Sequence, residues 1–128
     1  MGADGQFTHE ETLLTEPADL ARRIVDVLAD RQAEEVVLLD IRAVAPFADY
    51  FVIASAVNPR QMRALIETLD KELRGEDVRS LHREGEVDSG WVLVDYGPVI
   101  VHLFSPELRD YYALKELWRG ATQVVRIQ

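Results

Sequence analysis

Asp95 and His102 are the side chains in this chain whose types and spacing best suit acid–base chemistry. An imidazole held by a carboxylate can serve as an oriented general base. The two residues fall in β-branched runs on either side of Gly97-Pro98, a pattern that predicts a β-hairpin. With Gly97-Pro98 as a two-residue turn, Tyr96 faces Val99, Leu93 faces His102 and Trp91 faces Phe104. Asp95 then lies diagonally across from His102, within expected hydrogen-bond reach. No serine, threonine or lysine is placed beside them as a nucleophile, so a structural histidine is the expected reading. His9 and His82 lie elsewhere, no histidines are spaced as in helical zinc motifs, and there is no cysteine. No metal site is expected.

Carboxylates pose a second chemical question. Asp40, Asp49 and Asp95 each lie at or near a strand end, where such a set can hold Mg²⁺ for phosphoryl or nucleotidyl transfer. That chemistry also needs a phosphate cradle, usually a glycine-rich turn at a helix start. The corresponding entry here, Ala56-Val57-Asn58-Pro59-Arg60, has no glycine and a single cation. Strand-end aspartates of this kind are expected to cap turns or pair with arginines. The chain is read as a non-enzyme without a cofactor, with a metal-dependent nucleotidyltransferase-like enzyme as the alternative.

The elements that would position these residues follow from periodicity. Residues 1–14 are polar and acidic, without periodicity, and read as a mobile tail; residues 15–128 form the expected domain. Leu20, Ile24, Val27 and Leu28 share one face of a helix that starts at Glu16-Pro17 and runs to about Gln32. Glu34 to Ile41 reads as a buried strand, and Tyr50 to Ser55 as its antiparallel neighbour. Asn58-Pro59 is an N-cap followed by proline, opening a helix whose Met62, Leu65, Ile66, Leu69 and Leu73 face inward. Val78 to Arg83 reads as a weak edge strand, and Val124 to Ile127 as a short last one. Ser105-Pro106-Glu107 opens a helical region carrying Tyr111, Tyr112, Leu117 and Trp118. The order α-β-β-α-β-β-β-α-β predicts a single α/β domain, a mixed sheet flanked by helices.

The hairpin has two unlike faces. Val92, Val94, Tyr96, Val99, Val101 and Leu103 form the expected core face. Trp91, Leu93, Asp95, Ile100, His102 and Phe104 form the other, for a helix or a partner to cover.

Composition narrows the function class. The chain has 128 residues, a net charge of −9 and 48% hydrophobic residues, enough for one core. Its first 40 residues hold ten acids against three arginines. No basic stripe suits a phosphate backbone, so nucleic acid is not expected as the main partner. An acidic field can attract a basic protein partner, but charge alone is read first as simple solubility. No apolar run approaches the ~20 residues of a membrane span, and the N-terminus lacks a secretory pattern. A cytoplasmic protein with no membrane partner is expected.

Five segments then carry a resemblance: V-V-L-L-D-I-R (36–42), D-Y-F-V-I-A-S (49–55), N-P-R-Q-M-R-A-L (58–65), G-W-V-L-V-D-Y-G-P-V-I-V-H-L-F (90–104) and R-D-Y-Y-A-L-K-E-L-W (109–118). In this order they resemble the ribosomal silencing factor family, also called Iojap-like. The resemblance implies a fold similar to nucleotidyltransferases without their catalytic set. It also implies a translational repressor that binds the large ribosomal subunit at its number-fourteen protein and sterically blocks joining with the small subunit. The family pattern falls on Asp49, Tyr50, Arg60, Trp91, Asp95, His102, Tyr112, Leu117 and Trp118. Trp91, Leu93, Asp95, His102, Tyr112, Leu117 and Trp118 are expected to contact the partner, and Asp49, Tyr50 and Arg60 to serve structure. Pro98 departs from the pattern, since many relatives carry an acid after the glycine. A homodimer is possible when the protein is free, and a dimeric interaction module with no ribosomal role is the other alternative.

Overall fold

Six strands form one mixed sheet in the order β3-β4-β5-β2-β1-β6. The computed structural model describes residues 16–112 and 120–127. Helix α1 (Pro17–Asp30) leads into β1 (Glu34–Asp40) and β2 (Tyr50–Ser55). Helix α2 (Pro59–Arg74) is followed by a short edge strand β3 (His82–Glu84) and a single 3₁₀ turn at Val87–Ser89. The hairpin β4 (Trp91–Asp95) and β5 (Val99–Phe104) then feeds α3 (Pro106–Tyr112), and β6 (Thr122–Ile127) closes the other edge. Strands β2 and β5 pair in parallel, and every other pair is antiparallel. The predicted mixed α/β domain is the observed one. The first 15 residues, including the predicted tail, lie outside the described residues.

Side-chain alternation divides the chain's apolar residues between the sheet's two faces. Val36, Leu38, Val52, Ala54, Val92, Val94, Val99, Val101 and Leu103 meet the apolar stripes of α1 and α2 in the larger core. Leu39, Phe51, Ile53 and Phe104 point the other way, into a smaller cluster covered by Ile41, Ala45 and Ala48 and flanked by Leu108 of α3.

Both long helices begin with proline in their first turn. Asn58 caps α2, its Oδ1 accepting from the Gln61 backbone N–H at 2.8 Å. Gln61 reaches back and accepts from the Val57 N–H at 2.7 Å, while its own amide donates to the Gln32 carbonyl at 3.1 Å. One side chain therefore joins the start of α2 to the end of α1. Helix α1 stops at Asp30, two residues short of the expected end, and Gln32 turns the chain at φ 65°. The edge strand is also shorter and later than Val78–Arg83, covering only His82–Glu84.

The hairpin has the expected register: Trp91 pairs with Phe104, Leu93 with His102 and Asp95 with Ile100. Gly97 sits at φ 97°, and proline follows it. That left-handed φ suits glycine, and the fixed φ of proline is accommodated at the position after it. The Pro98 carbonyl accepts from the N–H groups of both Asp49 and Tyr50, at 2.8 and 3.1 Å. The hairpin tip is thereby tied to the start of β2.

Candidate functional site

The second face of the sheet gathers the aromatic residues. Trp91 stacks on Phe104 with ring centroids 5.0 Å apart, and Phe51 stands edge-on to His102 at 4.6 Å. His102 is 5% exposed, with burial pushing its pKa down to about 4. The Trp91 indole N–H donates to His102 Nδ1 at 3.3 Å. Nδ1 therefore acts as acceptor, and the neutral ring carries its proton on Nε2. That Nε2 is buried without a hydrogen-bond partner among the described residues. The ring is a neutral spacer that orients the indole above it.

Asp95 does not reach His102. Its Oδ1 accepts from the Gly97 N–H at 2.7 Å, closing the hairpin turn on itself. The turn amide lies two residues away and competes successfully for the carboxylate, so no Asp–His relay forms. Asp40 is likewise engaged, paired through both oxygens with Arg42 at 2.6 and 3.0 Å. Those bonds hold its carboxyl below the usual range. Among the described residues no group of three or more His, Asp or Glu could hold a metal ion.

Leu93 shares the face of Trp91 and is half-buried. Tyr50 is buried at the start of β2, with the Arg42 guanidinium 5.4 Å from its ring centroid. The Asp49 carbonyl accepts from the Ile41 N–H at 3.0 Å, which closes the β1–β2 connection. Arg60 is exposed in the first turn of α2 and makes no hydrogen bond or ion pair among the described residues. Tyr112 ends α3, while Leu117 and Trp118 lie outside the described residues. The structure thus brings together Trp91, Leu93, Asp95 and His102 on one side of the hairpin.

Two further residues border this face. Phe47 is 53% exposed, and its ring meets Phe51 edge-on at 6.1 Å. The apolar run Ala43-Val44-Ala45-Pro46-Phe47 between two strands was its sequence signal. Arg109 of α3 donates to Ser55 Oγ at 2.9 Å and to the Glu35 carbonyl at 2.6 Å. It opens the last of the five resembling segments, but nothing local in sequence points to those two acceptors.

A family model described as "Ribosomal silencing factor during starvation" matches residues 14–128. The chain belongs to the ribosomal silencing factor family. It is 33% identical over 106 residues to the ribosomal silencing factor of Halalkalibacterium halodurans, covering 83% of this chain and 91% of that one. A mouse protein named "Mitochondrial assembly of ribosomal large subunit protein 1" is 31% identical over 98 residues, covering 74% of this chain and 43% of the mouse protein. A crystal structure of a Chromobacterium violaceum protein superposes with a TM-score of 0.76 at 27% identity, covering 88% of this chain and 94% of that one. Members of the ribosomal silencing factor family carry a regulatory name rather than an enzymatic one. The match spans the whole sheet, so hairpin, α3 and β6 all belong to the family's shared unit.

Proposed function

We propose that the chain binds the large ribosomal subunit at its number-fourteen protein and, by occupying the face that meets the small subunit, blocks joining. The observation that carries this reading is the family match over residues 14–128. The large subunit as target is supported by the name of the mouse relative, which refers to assembly of that subunit. A net charge of −9 suits a basic ribosomal protein. The contact surface is the outer face of the hairpin, with Trp91 as anchor and Leu93 and Asp95 beside it, and with Tyr112, Leu117 and Trp118 as further contacts. His102, expected at the contact, is 5% exposed and cannot reach a partner's surface; it lies behind Trp91 and holds its indole. Asp49, Tyr50 and Arg60 keep their structural assignment. Action is steric and in the cytoplasm, without turnover or cofactor, and the free protein is able to pair with a second copy through the same aromatic surface.

Co-sedimentation tests the partner. Purified large subunits should carry the protein into the pellet, and small subunits should not. Free number-fourteen protein should compete it off. Failure of large subunits to retain the protein at micromolar concentration would overturn the reading.

A further inference from the structure

Arg109 bridges parts of the chain that are far apart in sequence. Its two acceptors lie 54 and 74 residues away, at the end of β2 and near the start of β1. Ser55 is 2% exposed, so its hydroxyl is available only to groups inside the fold. Glu35 is the odd residue of β1: it takes φ 47°, where the register against β2 slips between Glu34 and Val37. Such a bulge leaves a backbone carbonyl outside the ladder, in need of a donor. Arg109 supplies that donor.

The guanidinium is half-buried, and no carboxylate bonds it among the described residues. Burial works most against its charge; nearby Glu35 and Asp110 offset part of that, while Arg126 adds to it. A cation placed this way gains little as an ion pair. What it provides is geometry, because the rigid planar fork fixes the directions of both acceptors, whereas a lysine ammonium rotates freely on a flexible stem.

We propose that Arg109 is a positioning residue, locking α3 against the bulge of β1 and the end of β2 so that the helix is held in register beside the aromatic face. This rests on the ribosome-binding reading above. Helix α3 spans only Pro106–Tyr112, too short to hold its place by helix propensity alone. Leu108 packs it onto the smaller cluster, and Ser105 Oγ accepts from the Leu108 N–H at 3.3 Å. The Arg109 bridge adds a directional constraint to that apolar contact. Its role passes through Ser55 and Glu35, not through contact with the partner.

Two measurements on the full chain test this. The first needs no ribosome: amide hydrogen exchange over residues 106–112 in wild type, Arg109→Ala, Arg109→Lys and Ser55→Ala. Exchange in α3 should rise in both Arg109 variants, by more than in α1 or α2, with a smaller rise in Ser55→Ala. The second is affinity for large subunits, expected to fall about tenfold in Arg109→Ala, with no rescue by lysine. The double variant Ser55→Ala/Arg109→Ala should bind no more weakly than Arg109→Ala alone. Unchanged α3 exchange in Arg109→Ala would overturn the proposal, as would effects of Ser55 and Arg109 that multiply, because Arg109 would then touch the partner itself. Wild type that fails to bind subunits would sink the ribosomal reading, while exchange would still decide the role of Arg109.

Discussion

At the residue scale, His102 is the group whose chemistry the fold has changed most. An imidazole ordinarily titrates near 6.5, whereas burial between Phe51, Trp91 and Phe104 brings this one to about 4. Between those values the unfolded chain binds a proton that the folded chain refuses. The stability contributed by keeping the ring neutral is complete above pH 6.5 and is lost as the pH falls through 4, in total ~3 kcal/mol. Across denaturant melts from pH 7.5 to 4, wild type should therefore lose ~3 kcal/mol relative to His102→Phe, because phenylalanine has no proton to bind. A stability difference that stays constant across that range would show that His102 does not titrate in this way.

Trp91 belongs to the same small network but is only half-buried. Its indole stacks on Phe104, and its N–H ends on His102. With Trp91 as the proposed anchor, its removal is expected to cost ~2 kcal/mol or more of binding, about thirtyfold in affinity. Trp91→Ala should lose that much affinity for large subunits and less than that in a denaturant melt. Collapse of the melt with affinity retained would make Trp91 a core residue instead.

At the element scale, the start of α2 is set by two side chains. Asn58→Ala removes the cap on the Gln61 N–H and should cost ~1 kcal/mol, measured by the midpoint of chemical unfolding. An unchanged midpoint would mean that Gln61 alone holds the helix start. This cap was legible in sequence because capping is local, with Asn, Pro and Gln lying within four positions. The hairpin register was legible for the same reason, since alternation and a two-residue turn leave one pairing that keeps the aliphatic set inward. What stayed hidden depends on pairing across the chain. The parallel neighbour of β2, the bulge at Glu35 and the Arg109 bridge each join residues that no local pattern connects. The layout of the candidate face was legible in part: Trp91, Leu93 and His102 fell on one side of the hairpin as alternation required. The Asp95–His102 bond did not form, because alternation places side chains on a face without saying which donor each will find.

At the scale of the whole molecule, one sheet carries two unlike faces. Two amphipathic helices seal the first. The second gathers Trp91, Phe104, Phe51 and the exposed Phe47 beside a short helix. Acidic charge is concentrated before residue 41, where ten acids oppose three arginines. If that field guides docking onto a basic protein, raising salt should slow association more than it speeds release. Rapid-mixing kinetics between 50 and 300 mM salt would check this, and an association rate independent of salt would contradict it.

The central claim is steric exclusion, and subunit joining measures it directly. Separated small and large subunits are mixed in joining buffer with and without excess protein, then sedimented through a gradient. With the protein present, subunits should remain apart and the protein should run with the large one; Trp91→Ala at the same concentration should let joining recover. Complete joining in the presence of saturating wild-type protein would contradict the account.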